Sequence, residues 1–254
     1  MSATVATGGR WIARPRPPAG ARLRMVCFPH VGAGGAAFNS WLDHLPADVD
    51  VCAIRLPGRE NRLREPLLED SGELFEALWP ALVPLLDLPF VLVGHCSGSV
   101  LAYELARRLQ AAGAARPALL ILSSTDGPAV RHIADPLHLL PRRELLSRVV
   151  AFGGMAREVL DEPELMDIFE RILRADYRVI ERLAYSAGPP LDVPVTVLGG
   201  RHDEFVSCAG MAAWSAETTK EFSLHLLDAG HYILNEAGPV VARVVRELAD
   251  RVAP

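Results

Sequence analysis

The chain has 254 residues, 50% of them hydrophobic and 22% charged, which is typical of a globular enzyme with a sizeable core. Its net charge of −5 argues against a nucleic-acid partner, because phosphate backbones are bound by clustered positive charge. No apolar run reaches the roughly 18 residues of a membrane span, and no signal peptide is apparent. The four cysteines lack disulfide or metal-ligand spacing, so we expect a cytoplasmic protein without a metal. Because no membrane span is predicted, we also expect no membrane partner.

In chain order, short apolar runs alternate with helical patterns after a Pro-, Gly- and Arg-rich lead-in of residues 1–21. The apolar runs predict strands at 22–30, 49–56, 90–94, 118–124, 193–200 and 222–228. Helical periodicity covers 71–87, 100–113 and 237–252. Pro80 and Pro84 are expected to bend or end the first helix. Buried strands that alternate with amphipathic helices indicate an α/β fold with a mostly parallel sheet and helices on both faces.

Residues 128–190 interrupt this alternation, because they have helical patterning and no convincing strand. In PELMDIFERILRADYRVIERL, arginines lie opposite an apolar stripe, which consists of Leu165, Ile168, Phe169, Ile172, Leu173 and Ile180. A helical insertion late in an α/β sheet is typical of a lid over an active site. The alternative is a set of surface helices without a gating role. No interdomain linker is apparent, so residues 1–254 are predicted to form a single domain.

The stretch FVLVGHCSG predicts a nucleophile elbow, a tight strand–turn–helix corner written G-x-Nu-x-G. The residues two places before and after the nucleophile must be small, so that strand and helix can approach each other. Gly94 and Gly98 meet this requirement only if Cys96 is the nucleophile. With Ser97 as the nucleophile, the imidazole of His95 would occupy one of these crowded positions. The alternative, a buried cysteine without a catalytic role, is disfavoured because suitable partners follow in the chain.

The partners of an acyl-transfer triad on this fold follow in the order nucleophile, acid, base. His231, just after the last predicted strand, is in the position of the base. Asp203 directly follows the strand VTVLGG and is our preferred acid. Asp126, which follows the preceding strand, is the main alternative, and Glu204 is a third candidate. A buried carboxylate would hold the histidine tautomer and stabilise the imidazolium.

Two backbone N–H groups are expected to form the oxyanion hole. The first belongs to Ser97, the residue after the nucleophile. The second belongs to the loop FPHVGAGG after the first core strand, where Val31 follows FPH and glycines allow tight turns. A dinucleotide loop is excluded because GAGG lacks the GxGxxG spacing.

Six segments together resemble the type II thioesterases, stand-alone α/β-hydrolases that accompany polyketide synthases and nonribosomal peptide synthetases. The segments are CFPHVGAGGAAFNSW, IRLPGREN, GHCSGSVLAYELARRL, LRADYRVIE, PPLDVPVTVLGG and AGHYIL. The resemblance runs from about Trp11 to the C-terminus, and the segments follow one another in the order of the family with similar spacing.

This resemblance implies an α/β-hydrolase fold with a helical lid. It also implies hydrolysis of acyl groups from the phosphopantetheine arm of an acyl or peptidyl carrier protein, without a further cofactor. It places the acid after VTVLGG, at Asp203, and the oxyanion donors at Val31 and Ser97. The elbow of the family usually reads GHSMG, so this chain departs from the family by having Cys96 in place of the nucleophilic serine.

A cysteine nucleophile leaves three functions open. The S-acyl intermediate is itself a thioester, so the acyl group stays activated for further transfer. The first function is a thioesterase that releases the chain as an acid. The second is an acyltransferase or cyclase that passes the chain to an amine, alcohol or thiol. The third, a non-catalytic binder of carrier proteins, is disfavoured because every triad position holds a competent residue.

The assignment of the nucleophile can be tested by acylation with a thioester analogue of the substrate. We expect the acyl mass to appear at Cys96, since the thiolate is the attacking group, and Cys96→Ala to abolish the modification. Peptide mapping by mass spectrometry locates the adduct. Acylation of Ser97, with Cys96→Ala still active, would contradict the assignment.

Overall fold

The computed structural model describes residues 9–16, 20–131, 135–152, 162–185 and 188–251. In these described ranges seven strands form one sheet, and they are β1 Ile12–Ala13, β2 Leu23–Phe28, β3 Val49–Ile54, β4 Phe90–His95, β5 Leu119–Ser123, β6 Val195–Gly200 and β7 Phe222–Leu227. Their order in the sheet is β1-β3-β2-β4-β5-β6-β7. All neighbours are parallel except β1, which pairs antiparallel with β3. The predicted mostly parallel sheet is confirmed.

The described α-helices are α1 Ser71–Leu82, α2 Ser97–Ala111, α3 Arg142–Ala151, α4 Pro163–Arg182, α5 Cys208–Ala212 and α6 Leu234–Arg251. Short 3-10 segments occur at Gly35–Trp41, Glu60–Arg62, Val83–Leu85, Leu137–Leu139 and Ala213–Glu217. Asp70 caps α1 by accepting hydrogen bonds from the N–H groups of Gly72 and Glu73. The helix accommodates Pro80 and ends at Leu82, where the chain continues as a 3-10 turn that contains Pro84.

Two apolar cores cover the two faces of the sheet, because successive side chains of a strand point to opposite faces. Val26 and Phe28 of β2 belong to the core under α1 and α2. Met25 and Cys27 of the same strand belong to the core under α6 and the 3-10 segment Gly35–Trp41. All positions of β2 to β6 are buried, which explains their continuous apolar sequence. This arrangement confirms the predicted α/β-hydrolase architecture.

Among the strands of the described residues, β1 alone was not predicted from the sequence, and it falls in the predicted lead-in. It has only two residues, too few for a periodic pattern, and it exists because its backbone pairs with the edge of β3. Among the described residues, no helix is both long enough and apolar enough to cross a membrane.

Helices α3 and α4 lie between β5 and β6 in the chain, and we call them the insertion. They share an apolar cluster that includes Leu145, Val149 and Leu173. The expected apolar stripe of α4 is only partly correct, because Leu165 and Ile168 are 50% and 40% exposed. Parts of the predicted boundaries 128–190, namely 132–134, 153–161 and 186–187, lie outside the described residues.

Candidate active site

Cys96 lies in a strained corner between β4 and α2. Its backbone has φ +51° and ψ −117°, a conformation that side-chain-bearing residues rarely adopt. The Cys96 N–H donates to the carbonyl of Ser123 at 2.8 Å, and the Cys96 carbonyl accepts from Ser99 at 3.0 Å. These bonds to β5 and to the first turn of α2 hold the strained residue in place.

The glycines on either side of the corner are a steric requirement. A Cβ atom on Gly94 would overlap the backbone of Ser99, and one on Gly98 would overlap the carbonyl of Phe28. Both obstacles are backbone atoms, which do not move aside as a flexible side chain would. The register that the sequence indicated, with Cys96 in the strained position, is therefore the register of the fold.

His231 lies in the turn between β7 and α6, and its side chain reaches Asp203. The Nδ1 atom of His231 is 2.9 Å from Oδ2 of Asp203. The Asp203 side chain is fully buried, and its Oδ1 accepts the N–H groups of Phe205 and Val206 at 2.9 and 3.1 Å. Asp203 therefore has one oxygen for the backbone of its own loop and one for the imidazole.

The electrostatics of this pair favour the charged form of both groups. Burial by itself lowers the pKa of His231, but hydrogen bonds with Asp203 and Cys96 and the charges of both groups raise it to about 10. Burial raises the pKa of Asp203, but the hydrogen bonds with His231 and the backbone outweigh it, so this pKa lies below its ordinary value. The imidazolium is thus stabilised between a carboxylate and the Cys96 sulfur.

Asp126, the alternative acid, lies beside this pair but does not hold the histidine. Its Oδ1 is buried and has no hydrogen-bond partner among the described atoms. Burial and the neighbouring charge of Asp203 raise the pKa of Asp126, which favours its neutral form. Glu204, the third candidate, is exposed. Of the three carboxyl groups, Asp203 is the one bonded to the His231 ring.

The two expected oxyanion donors belong to the same site. Ser97 is the first residue of α2, so its N–H has no acceptor within the helix. The Val31 N–H donates to no other group in the described part of the chain. Both residues line the cavity of about 200 Å³ that Cys96 and His231 also line.

The walls of this cavity include residues for which the sequence indicated no place in the active site. They are Phe152, Phe205 and Tyr232 around the His231 ring, together with Val100, Arg131, Tyr177 and Ile180. Tyr177 belongs to the segment LRADYRVIE, so the resemblance pointed to the segment but not to its place beside Cys96. His95 is not part of the cavity. It is buried with its Nδ1 atom 2.9 Å from Oγ of Ser123, and burial lowers its pKa well below the ordinary value.

A strained thiol lies beside a histidine that is hydrogen-bonded to a carboxylate, and Val31 and Ser97, whose N–H groups lack an acceptor in the described part of the chain, line the same cavity. Such an arrangement is suited to nucleophilic acyl transfer. The class that the fold and the site define is the acyl-transferring α/β-hydrolases.

Comparison with known proteins identifies the family. Residues 23–251 match the thioesterase domain, and the chain belongs to this family. Gramicidin S biosynthesis protein GrsT of Aneurinibacillus migulanus is 32% identical over 228 residues, which are 90% of this chain and 89% of GrsT.

Two solved structures are similar over nearly the whole chain. The type II thioesterase BorB from the borrelidin biosynthetic cluster is 32% identical, with a TM-score of 0.84 over 94% of this chain and 97% of BorB. YbtT, a type II thioesterase from the yersiniabactin NRPS/PKS biosynthetic pathway, is 25% identical, with a TM-score of 0.83 over 95% of this chain and 99% of YbtT. Relatives named as type II thioesterases thus support the resemblance that the sequence segments indicated.

Matched substitutions of the two neighbouring carboxylates test which of them acts on His231. Asp203→Asn should lower the rate of thioester cleavage roughly 10²–10⁴-fold, because the imidazole loses the group that fixes its tautomer and stabilises its charge. Asp126→Asn makes the same chemical change beside it and should stay close to the parent rate. Steady-state kinetics with a small thioester measure both. Equal rates for Asp203→Asn and the parent would give the role to Asp126.

The ion pair of His231 and Asp203 should also make the stability of the protein depend on pH. The raised pKa of His231 gives a contribution that is complete below the ordinary value of 6.5 and is lost as the pH rises through about 10. The lowered pKa of Asp203 gives a contribution that is present above 3.8 and is lost at lower pH. Asp203→Asn should therefore lower the Tm most between about pH 4 and 6.5, and less toward pH 10. Thermal unfolding across this range measures the difference, and a deficit that grows toward pH 10 would rule the ion pair out.

Proposed function

We propose that the chain is a trans-acting thioesterase of polyketide or nonribosomal peptide biosynthesis, with Cys96, His231 and Asp203 as its catalytic triad. Its substrates are acyl or peptidyl thioesters on the phosphopantetheine arm of a carrier protein, which makes the carrier protein its partner. The observation that carries the proposal is the strained Cys96 beside a His231 that is bonded to a buried Asp203. The type II thioesterases BorB and YbtT and the gramicidin S protein GrsT support the pathway.

The first half of the reaction transfers the acyl group to the enzyme. The Cys96 sulfur, as a thiolate beside protonated His231, attacks the thioester carbonyl and forms a new C–S bond. Negative charge moves to the carbonyl oxygen, where the N–H groups of Val31 and Ser97 bind it. When the intermediate collapses, the C–S bond to pantetheine breaks and His231 gives its proton to the departing sulfur. The products are S-acyl Cys96, neutral His231 and the free thiol of the carrier.

The second half releases the chain. Neutral His231 takes a proton from water, and the water oxygen attacks the S-acyl carbonyl. The C–S bond to Cys96 then breaks, which releases the carboxylic acid and restores the thiolate and the imidazolium. No cofactor of the enzyme takes part. A cytoplasmic location suits this chemistry, because Cys96 must remain a free thiol.

A second function is favoured by one specific feature, the cysteine itself. Conversion of a carrier thioester into an S-acyl enzyme exchanges one thioester for another, so the acyl group keeps its reactivity toward amines, alcohols and thiols. The same intermediate can therefore pass the chain to such an acceptor, or close a ring, instead of reacting with water. The non-catalytic function has less support, because the strained Cys96 and the hydrogen-bonded pair of His231 and Asp203 are suited to catalysis.

Product analysis with carrier-bound substrates distinguishes these functions. Carrier proteins loaded with candidate acyl chains are incubated with the enzyme, with and without amine acceptors, and the products are identified by mass spectrometry. We expect free acid in both cases and none with Cys96→Ala. Cys96→Ser is the matched variant, since an ester intermediate reacts less readily with amines. Amide or macrocycle as the main product of the parent would establish transfer, and tight carrier binding without turnover would establish the non-catalytic reading.

A further inference from the structure

We infer that Asp176 and Arg59 are positioning residues for the oxyanion hole, which they couple to the insertion helix α4. The inference rests on the proposed function, since it concerns the loop whose Val31 N–H would bind the oxyanion. It also assigns a role to two segments, IRLPGREN and LRADYRVIE, that the triad leaves unused.

Asp176 and Arg59 form a buried, bidentate ion pair between two separate parts of the fold. Nη1 and Nη2 of Arg59 donate to the two carboxylate oxygens of Asp176 at 2.7 and 2.6 Å. The Arg59 side chain is only 6% exposed and the Asp176 side chain only 9%. Asp176 lies on α4, and Arg59 lies in the loop after β3. Burial removes the hydration of both charges, and this cost can cancel the attraction between them. A contribution to folding stability is therefore not enough to explain why the ion pair is present.

The same two side chains also form hydrogen bonds with the loop after β2, FPHVGAGG, which contains Val31 and which we call the oxyanion loop. The Gly32 N–H donates to Oδ2 of Asp176 at 2.8 Å, and Nη1 of Arg59 donates to the Ala33 carbonyl at 3.0 Å. The two residues that directly follow Val31 are thus bound by the two members of the ion pair.

The segment held in this way is a β-turn with Val31 in its centre. The Ala33 N–H donates to the His30 carbonyl at 3.0 Å, so Val31 and Gly32 are the two central residues. The φ angle of Gly32, +79°, is that of the third residue in a type II turn. Asp176 accepts from the central peptide of this turn and Arg59 donates to its last carbonyl. Together these two hydrogen bonds fix the orientation of the turn, and they therefore fix the orientation of the Val31 N–H as well.

Packing makes the position of α4 part of this arrangement. A Cβ atom on Gly32 would approach the Phe169 and Leu173 side chains of α4 to 3.0 and 3.1 Å. The Val31 side chain packs against the apolar cluster of the insertion. Tyr177, the residue after Asp176, lines the cavity beside Cys96. One turn of α4 therefore forms a wall of the cavity and orients the oxyanion loop, so acyl transfer requires α4 to be seated against the loop.

The test compares two reactions of Cys96, of which only one develops an oxyanion. Acylation by a small thioester passes through a tetrahedral oxyanion, whereas alkylation by iodoacetamide displaces iodide at a saturated carbon and needs no oxyanion hole. Asp176→Ala should lower the single-turnover acylation rate about 10²–10³-fold, as the loss of an oxyanion donor does, with little change in KM. Its alkylation rate at Cys96 should stay within about twofold of the parent. Peptide mapping separates Cys96 from the exposed Cys208, which serves as an internal reference.

The matched control is Arg178→Ala. Arg178 also lies on α4 and pairs with Glu69 of the main body, and within the described residues no hydrogen bond or ion pair joins it to residues 30–33. This variant should acylate like the parent. Asp176→Asn keeps an acceptor for the Gly32 N–H and should retain more activity than Asp176→Ala. If Asp176→Ala fails to fold, Asp176→Asn carries the same comparison, with a smaller expected loss that is again confined to acylation.

The outcomes separate this inference from the proposed function. Acylation of Asp176→Ala at the parent rate, or a parallel fall of acylation and alkylation, would overturn the positioning role while leaving the thioesterase proposal standing. A parent protein that alkylates at Cys96 but is not acylated by any thioester would overturn the thioesterase proposal and, with it, an oxyanion role for this loop.

Discussion

The close approach of β4 and α2 around Cys96 is the constraint on which the rest of the site depends. The backbone reaches φ +51° at this residue, and the strain is sustained because Ser99 and Ser123 bind its carbonyl and its N–H. The glycines at 94 and 98 leave no room for even a methyl group. The result is a Cys96 side chain that lines the cavity at the carboxyl end of the fully buried strand β4 and at the N-terminus of a helix.

Two neighbouring carboxyl groups near this corner, those of Asp203 and Asp126, have pKa values that are shifted in opposite directions. Asp203 is held ionised by His231 and two backbone N–H groups, whereas Asp126 lacks a partner for one oxygen and lies next to that charge. The pKa of Asp203 is lowered and the pKa of Asp126 is raised, as expected for two acids that compete for one charged site. The ionised acid is the one that contacts the imidazole.

The insertion connects this rigid centre to the surface. Its helix α4 contributes Tyr177 to the cavity and Asp176 to the loop of the proposed oxyanion hole, so we expect binding and catalysis to share one element. The cysteine nucleophile that we propose would add a chemical choice to this arrangement, because an S-acyl intermediate keeps the acyl group reactive. Under this proposal, the access of water or of another acceptor to the cavity would decide between hydrolysis and transfer.

The sequence by itself determined the parallel sheet and the register of the elbow. Continuous apolar strands and paired glycines are local patterns, and local sterics make them unambiguous. It narrowed the acid to three carboxyl groups, and only the tertiary structure brought Asp203 to His231, since 28 residues of chain separate them. The contact of Asp176 with Gly32 spans 144 residues, and β1 exists only through its pairing with β3. Tertiary folding decided these features because each is a pairing of groups that have no periodic or local signal of their own.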